Sequence, residues 1–250
     1  MKTANRLRRT AAQLGWFNTL CYGLDRLLSR LGWRLRKYYF VAQPTAQAPP
    51  ARPQRKPVLP ERGATFTVRL ASAGREVPLT HPRPRAVISQ RFAQGAQTLQ
   101  AWHGGKLAGF LWFLPHAYQE DEVRVRYRLA SAESLWDFDV YVAPDYRLGP
   151  LFRRLWSEAH VMMRSQGVRW TCSRISAYNP ASRGAHARLG AVTLGSAVFL
   201  SCGDWQWTFA TQAPYFHLSR NPAAFPELLF DTSTLEPGAN PEPPCPVSTN

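Results

Sequence analysis

The sequence predicts a mixed α/β fold, in which a sheet of parallel and antiparallel strands is covered by a few helices. Three observations support this class. Predicted strands outnumber predicted helices within residues 63–222, one helix at 151–166 crosses over between two strands, and a Gly104-Gly105 turn joins two apolar runs into a β-hairpin. With 250 residues, 45% of them hydrophobic, the chain is long enough for one large domain with extensions or for two small domains.

The elements of the central domain follow from apolar periodicity and from turn residues. Apolar residues alternate with polar ones in the predicted strands and recur every three or four residues in the predicted helices. Asn179 is placed to cap a short helix whose first turn contains Pro180. In chain order we predict strand 64–70, helix 86–92, hairpin strands 98–103 and 107–114, strands 123–129 and 135–142, helix 151–166, strand 169–176, helix 180–189 and strands 190–200 and 205–210.

Residues 1–41 are predicted to form a basic helical extension with an apolar stripe on one side. The stripe consists of residues spaced by three and four, namely Leu14, Phe17, Cys21, Leu24, Leu28, Leu31 and Leu35. Residues 1–62 hold 13 Lys/Arg and two acids, whereas residues 63–250 hold 18 Lys/Arg and 14 acids. Two interpretations stay open: residues 5–40 lie on an anionic membrane surface, or the stripe docks on the main domain or on a partner.

Proline-rich segments flank the central domain. Residues 42–62 predict an extended basic linker and residues 223–250 a disordered tail, because their composition leaves little to bury. The four cysteines form no C-x-x-C pair and no zinc-ligand pattern, which favours reduced thiols and no bound metal. Without an apolar run of roughly 20 residues or a cleavable signal, we expect a cytoplasmic chain, peripheral at the inner membrane face where residues 5–40 bind lipid.

Residues 136–149 predict a strand that ends in a glycine-containing turn and leads into helix 151–166. The unpaired N–H groups of the first helical turn, together with the helix dipole, suit a pyrophosphate. Positive charge nearby comes from Arg147, Arg153 and Arg154. The alternative interpretation is an ordinary strand–turn–helix corner that ends at Gly149.

This turn, Val142-Ala-Pro-Asp-Tyr-Arg, and a later run, Asn179-Pro-Ala-Ser followed by Arg-Leu-Gly190-Ala, together resemble the GNAT superfamily of acyl-CoA N-acyltransferases. The Trp102–Phe110 hairpin is similar to the early strand pair of that family, so the resemblance covers about residues 64–210. The resemblance implies a GNAT-like fold and an acyltransferase activity. It implies that acyl-CoA, as co-substrate, donates an acetyl or other acyl group to an amine or hydroxyl of an unidentified small-molecule or sugar acceptor. The implied coenzyme-binding residues are Val140, Tyr141, Val142, Tyr146, Arg147, Leu148, Gly149, Leu151, Phe152, Asn179 and Ser182.

The same resemblance implies catalytic roles for three side chains. His186 stands where the family often has a tyrosine that protonates the departing thiolate, and Asp139 and Asp137 lie on the strand that often carries the general base. Because side chains alternate along a strand, we expect Asp137, Asp139 and Tyr141 to share one face. Backbone N–H groups near Val140 and Val142 are expected to polarise the thioester carbonyl.

Structural roles for these residues remain open. His186 is alternatively a partly exposed helix histidine, and the aspartates alternatively form ion pairs with Arg124, Arg126 and Arg128 of the preceding strand. The acidic cluster at residues 120–122 either attracts a cationic acceptor or is simply solvated.

Two functions of other classes compete with acyl transfer. The pyrophosphate turn departs from the family pattern, because Pro150 lacks an N–H group and Leu151 replaces a small residue. This departure favours a catalytically degenerate GNAT-like module that binds a membrane surface or a partner protein. Nucleic-acid binding is disfavoured, because the basic charge is concentrated in a Pro-rich arm and the central domain carries no nucleic-acid-binding motif.

Overall fold

The computed structural model describes residues 11–45, 66–73 and 81–236. In chain order the helices are α1 (Trp16–Leu28), α2 (Arg85–Ala93), α3 (Leu151–Ser165) and α4 (Pro180–Arg188). The strands are β1 (Trp33–Pro44), β2 (Thr67–Ala71), β3 (Gln97–His103), β4 (Lys106–Pro115), β5 (Ala117–Gln119), β6 (Arg126–Leu129), β7 (Ser134–Val142), β8 (Trp170–Ser176), β9 (Val192–Cys202), β10 (Trp205–Ala210), β11 (Phe216–Ser219) and β12 (Glu227–Phe230).

Two sheets organise these strands. The large sheet has nine strands in the order β11-β10-β9-β1-β8-β7-β4-β3-β2, and the small sheet has three in the order β12-β6-β5. Neighbours in the large sheet are antiparallel, except β7 and β8, which are parallel and are connected by the crossover helix α3. The predicted mixed α/β class is therefore confirmed.

The large sheet has a hydrophobic core on each face. Helix α3 buries Leu151, Leu155 and Ala159 against apolar residues of β3, β4 and β7, and we call this side the α3 face. The opposite side, the α2 face, carries α2 and the small sheet around a core rich in aromatic residues: Tyr38, Phe40, Phe110, Trp112, Tyr127, Trp136, Phe199 and Phe230. Helices α1 and α4 also lie on the α3 face, since Asn18 of α1 bonds Tyr39 of β1 and His186 of α4 contacts Trp156 of α3.

Short-range signals predicted the local elements well. The β3–β4 hairpin turns at Gly104 and Gly105, both at positive φ, as the glycine pair predicts. Asn179 caps α4, because its side-chain Oδ1 accepts a hydrogen bond from the Ser182 N–H at 3.0 Å. The bounds of α2, α3, α4, β7, β8 and β10 agree with the prediction to within one residue or two.

The prediction of a helical extension through residue 41 is wrong beyond residue 32. Helical structure ends at Gly32, whose φ of 79° is left-handed, and residues 33–44 form β1 in the middle of the large sheet. Aromatic and β-branched side chains between Tyr38 and Val41 favour a strand, and pairing with β8 and β9 satisfies the backbone on both edges. Residues 33–44 therefore belong to the folded domain rather than to an extension.

Two further boundaries differ from the prediction. The strand expected over residues 123–129 spans only Arg126–Leu129 and lies in the small sheet. Its parallel partner β12 comes from the segment predicted as a disordered tail, and Leu228 and Phe230 of β12 are buried in the aromatic core. This ordering reaches residue 232, where the Thr232 hydroxyl bonds the Ser134 hydroxyl at 2.5 Å.

Some predictions fall on residues that the structure does not describe. They are the first ten residues of the extension, residues 46–62 of the linker and residues 237–250 of the tail. Within the described ranges, none of the helices combines the length and apolar character that crossing a bilayer requires.

Glycine is required at position 109 of β4, because the backbone of β7 and two leucines of α3 both approach this position closely. A Cβ atom on Gly109 would lie 2.8 Å from the Tyr141 carbonyl oxygen, 3.2 Å from Leu155 Cδ1 and 3.3 Å from Leu151 Cδ2. We expect Gly109→Ala to destabilise the protein by about 1–3 kcal/mol in urea unfolding, because the backbone contact cannot relax cheaply. The matched control is Gly23→Ala on α1, where a Cβ meets open space and the change should be neutral or stabilising by up to about 1 kcal/mol. Equal losses in both variants would contradict this explanation.

Candidate functional site

The parallel strands β7 and β8 part after a short paired stretch. They pair from Ser134↔Trp170 to Trp136↔Cys172, and beyond that point β7 runs on to Val142 and β8 to Ser176 without pairing each other. The outer edge of β7 stays bonded to β4 and the outer edge of β8 stays bonded to β1. The inner edges thus form a wedge-shaped opening whose backbone N–H and C=O groups have no strand partner.

A β-bulge changes the direction of side chains along β7. Phe138 lies opposite Trp112 and Tyr141 opposite Phe110, so two residues of β7 face the single Leu111 of β4. Asp139 sits in this bulge with a φ of 49°. The prediction that Asp137, Asp139 and Tyr141 share one face is therefore wrong for Asp137, which lies on the α3 face while Asp139 and Tyr141 lie on the α2 face.

Asp137 lies at the apex of the opening. It is the first residue of β7 after the last paired position, and Ser173 is the first of β8. The Ser173 hydroxyl donates to Asp137 Oδ2 at 3.1 Å, and the side chain is almost completely buried, with 1% exposure. Burial raises the pKa of Asp137 to about 7, against the lowering effect of the Ser173 hydrogen bond. This carboxyl group therefore changes its protonation near neutral pH, as a general base must.

A buried hydrogen-bonded relay connects α4 to α3 across β1. His186 Nδ1 lies 3.0 Å from Gln43 Oε1, and Gln43 Nε2 lies 3.2 Å from His160 Nε2. With the Gln43 amide in this orientation its oxygen can only accept, so the neutral His186 ring then carries its proton on Nδ1 and has a lone pair on Nε2. The ring of Trp156 packs against both histidines.

Burial lowers the pKa of both histidines of this relay. Burial and the nearby charge of Arg164 lower the pKa of His160 to about 4. Burial alone lowers the pKa of His186. The alternative of a partly exposed helix histidine at position 186 is wrong, because the side chain is buried. The catalytic role of His186 stays a prediction. To donate to a thiolate through Nε2, the neutral ring must first take up a proton there.

On the α2 face, Asp139 is held between two arginines. Arg83 donates from Nε to Oδ2 at 2.8 Å and from Nη2 to Oδ1 at 2.5 Å. Arg91 donates from Nη1 to Oδ2 at 2.5 Å. Burial acts to raise the pKa of Asp139, but these hydrogen bonds and charges outweigh burial and hold the pKa below its usual value. A carboxylate stabilised in this way binds a proton poorly, so the geometry disfavours Asp139 as the general base.

The three arginines predicted to form ion pairs with the aspartates contact other groups instead. Arg126 and Arg128 approach Glu227 of β12 at 3.8 and 3.5 Å, because β6 lies in the small sheet rather than beside β7. Arg124 donates to the Asp204 carbonyl at 2.7 Å. The predicted pairing of Asp137 or Asp139 with these three arginines is therefore wrong.

The acidic cluster 120–122 is also internally paired. Glu120 accepts two hydrogen bonds from Arg174, at 2.7 and 3.0 Å, and Asp121 accepts from Arg91 at 2.9 Å. Glu122 accepts from the Tyr38 hydroxyl at 2.6 Å and lies 3.4 Å from Arg174. The expectation that this cluster is merely solvated is wrong, and its charges are largely matched by arginines before any cationic acceptor arrives.

The turn between β7 and α3 is open to solvent. Arg147, Leu148, Gly149 and Pro150 are exposed, as are Arg153 and Arg154 in the first turn of the helix. In the described ranges, no backbone carbonyl and no capping side chain accepts from the N–H groups of Leu151, Phe152 and Arg153. Leu151 is fully buried, so the accessible unpaired donors are those of Phe152 and Arg153. Together with the positive end of the helix and the exposed arginines, they make this corner suited to an anion.

Not every residue predicted to bind a coenzyme is available at this corner. Tyr146 is turned toward the α3-face core, where its hydroxyl bonds His103 Nδ1 at 3.0 Å and its ring contacts Phe66. Arg147 donates to the Val142 carbonyl at 3.1 Å and so caps the end of β7. Asn179 already uses its side chain to cap α4. The structure brings Val140, Val142 and Phe152 together on the α3 face, beside Leu151 at the start of α3; for the rest, the assignment stays a prediction.

Several residues of this region were not identified from the sequence. They are Ser173 at the apex, Gln43, Trp156 and His160 in the relay, and Arg83, Arg91 and Arg174 on the α2 face. Apart from Trp156 and His160, which lie four positions apart on α3, their partners lie between 30 and 143 positions away in the chain. No local spacing indicates such contacts.

No family model matches the chain, and no curated protein matches it. Solved structures with a similar fold include a GCN5-related N-acetyltransferase from Sphaerobacter thermophilus, at 19% identity over 70% of this chain and 54% of that one with a TM-score of 0.41. A tandem GNAT protein from the clavulanic acid biosynthesis pathway matches at 14% identity over 72% and 58%, with a TM-score of 0.43. An aminoglycoside N-acetyltransferase in complex with CoA matches at 20% identity over 53% and 91%, with a TM-score of 0.35.

The chain spans between 54% and 65% of the length of the first structures that it matches. At these identities and TM-scores the likeness concerns the fold alone. An activity for this chain therefore has to be inferred from its own residues.

The buried carboxyl group of Asp137 makes stability depend on pH. Its folded pKa of about 7 lies above the ordinary value of 3.8, so its contribution to stability is complete below the ordinary value and is lost as the pH rises through 7. We expect Asp137→Asn, which has no titrating proton, to raise Tm relative to wild type by an amount that grows from about pH 4 to about pH 8. At the exposed Asp145, the same substitution should give no comparable gain. A pH-independent difference for Asp137→Asn would contradict the raised pKa.

Proposed function

We propose that the chain is a GNAT-type acyltransferase, which moves an acetyl or other acyl group from acyl-CoA to an amine or hydroxyl of an acceptor. The observation that carries this proposal is the opening between β7 and β8, which widens from Asp137 toward the end of β7, where the chain leads into the solvent-exposed N-terminus of α3 with its unpaired N–H groups. The opening supplies free strand edges for an extended chain, and the helix terminus supplies an anion site. Acyl-CoA needs both features, because it carries an anionic diphosphate and a long extended arm that ends in the thioester.

The pyrophosphate is assigned to the first turn of α3. The N–H groups of Phe152 and Arg153 have no partner of their own and lie on residues that reach solvent, and Arg153 and Arg154 add positive charge. Pro150 occupies the cap position, so the N–H group that proline lacks is not among these donors. This geometry supports coenzyme binding despite the departure from the usual sequence of the turn.

The thioester is assigned to the opening, next to the free edge of β7 at Val140 and Val142. Backbone N–H groups on this edge are suited to stabilising negative charge on the carbonyl oxygen during attack. The attacking amine must lose a proton, and Asp137 is the group best suited to receive it, because it lies at the apex and titrates near neutral pH. The sulfur leaves as a thiolate and takes a proton. His186 is the predicted donor, and because Nδ1 holds the proton of the neutral ring, Nε2 must first take up a proton from solvent before it can pass one to sulfur.

A catalytically degenerate binding module remains the second candidate. One observation favours it: Asp139, Arg83 and Arg91 form a paired cluster on the α2 face of β7, beside the opening. Such a cluster stabilises the bulge without any chemistry. Coenzyme binding separates the two candidates, since a module that has lost the activity need not retain the diphosphate site.

Coenzyme affinity should depend on the arginines of the α3 N-terminus. We expect acetyl-CoA to raise Tm and to give a measurable Kd by calorimetry, and Arg153→Gln with Arg154→Gln to weaken that Kd roughly three- to tenfold. S-acetylpantetheine lacks the diphosphate, so its affinity should not change. The exposed arginine of α2 provides the control variant Arg85→Gln. If acyl-CoAs of every chain length leave Tm unchanged, the degenerate module is the better description.

Turnover should depend on Asp137 and not on exposed carboxylates. With an acceptor mixture and mass-spectrometric detection of the acylated product, we expect Asp137→Asn to lower kcat by about 10²–10⁴ and to leave acetyl-CoA affinity unchanged. Wild-type kcat should rise with pH through about 7, because the base must be deprotonated. The exposed carboxylate variant Asp145→Asn should retain full activity. Full turnover by Asp137→Asn would remove Asp137 from the mechanism.

A further inference from the structure

Helix α1 leaves most of its apolar residues in contact with solvent. Trp16, Leu20 and Leu27 are 74%, 69% and 61% exposed, and Leu24 and Leu31 are exposed as well. At 100° per residue these positions cover one continuous arc, while the buried residues Asn18 and Cys21 lie on the other side of the helix. The helix therefore docks on the sheet through small residues, Asn18, Thr19 and Cys21, and turns most of its large apolar side chains outward.

The neighbouring half of the sheet is also apolar and exposed on the α3 face. Trp205 and Phe209 of β10 lie on this face together with Phe216 and Leu218 of β11, because they pair in register with each other and with residues of β9. Phe209 and Phe216 are 49% and 53% exposed, and their rings lie 5.2 Å apart. Sheet faces in a folded domain are normally covered, and no helix in the described ranges packs over this part of the sheet. Such an exposed apolar surface indicates a binding site.

The two exposed regions are continuous. Trp33, directly after the α1 segment, stacks on Trp207 of β10 at 5.5 Å, and Trp207 stacks on Trp205 at 5.8 Å. On the far flank of α1, Tyr22 contacts Tyr178 beside α4. We call the combined surface the apolar platform, formed by Trp16, Leu20, Leu24, Leu27, Leu31, Trp205, Phe209, Phe216 and Leu218.

The border of the apolar platform is basic. Arg26 and Arg30 are exposed beside the arc of α1, and Arg220 lies over the ring of Trp205 at 5.0 Å. Asp25 of α1 is turned inward, where it accepts from the Leu35 N–H at 2.9 Å, and Asp204 lies in the turn between β9 and β10. The charge around the platform is therefore predominantly positive.

We propose that the apolar platform docks on an anionic lipid bilayer. Exposed tryptophan, phenylalanine and leucine side chains enter the boundary between headgroups and acyl chains, and the bordering arginines pair with lipid phosphates. A second copy of the chain fits less well, because a symmetric contact would bring two borders of the same positive sign together. The proposal is independent of acyl transfer and concerns a different surface.

Flotation with lipid vesicles tests this docking. We expect the protein to float with vesicles of phosphatidylcholine and phosphatidylglycerol, less with phosphatidylcholine alone, and less as salt is added. Leu20→Ser with Leu27→Ser on α1, and separately Phe209→Ser with Phe216→Ser on the sheet, should each lower the partition coefficient at least roughly tenfold. Arg30→Gln with Arg220→Gln should remove the preference for anionic lipid.

Matched controls remove equally exposed residues from other surfaces. They are Val161→Ser with Leu229→Ser for the apolar changes and Arg85→Gln with Arg128→Gln for the charges. Circular dichroism checks that each variant is folded. Vesicle binding that ignores lipid charge, or that falls equally in controls and platform variants, overturns the proposal. So does a lipid-free dimer in analytical ultracentrifugation that the platform variants convert to monomer, because the platform is then an interface between copies.

Discussion

The parting of β7 and β8 is the constraint around which the rest of the domain is organised. Two strands that stop pairing leave backbone groups exposed, and such an opening persists only when the outer edges are firmly held. Here β4 holds β7 as far as Val142, and β1 holds β8 as far as Ser176. The N-terminal strand β1 is thus a structural requirement of the opening, since without it β8 would have two unpaired edges.

The bulge in β7 assigns different chemistry to the two faces of the opening. Because Asp139 adopts a positive φ, the strand presents Asp137 to the α3 face and Asp139 to the α2 face. On the α3 face a lone buried carboxyl group titrates near neutral pH. On the α2 face the carboxylate is matched by two arginines and stays ionised. One local distortion therefore separates a carboxyl group suited to proton transfer from one suited to holding the strand in place.

The sequence predicted what short-range physics determines. Glycine pairs, the Asn179 cap and the amphipathic period of α3 act within a few residues, and those elements appear where they were expected. The misassigned parts depend on distant partners. The predicted helical stripe extended to Leu35, yet residues 33–44 form β1. They do so because pairing with β8 and β9 provides backbone hydrogen bonds along both edges of the strand.

The candidate site shows the same limit. Strand alternation correctly describes a regular strand, but a bulge shifts every later side chain to the other face, and the sequence around Asp139 gives no glycine to signal it. The arginines that pair with Asp139 come from α2 and the segment before it, not from the adjacent strand in the chain. Alternation therefore predicted a shared carboxylate pair where the fold separates the two.

The stripe predicted on residues 14–35 is divided between the two sides of the N-terminal segment: Leu14, Cys21 and Leu35 are buried, whereas Phe17, Leu24 and Leu31 are exposed. Apolar periodicity indicates an amphipathic helix but not which face is buried, and the usual assumption is that the apolar face packs inward. In α1 the inward contacts are polar, through Asn18 to Tyr39 and Asp25 to the Leu35 N–H. The outward apolar face continues onto β10 and β11 and borders arginines. Because α1, α3 and α4 all lie on one face of the sheet, a surface that docks there also fixes how the opening between β7 and β8 is oriented to that surface.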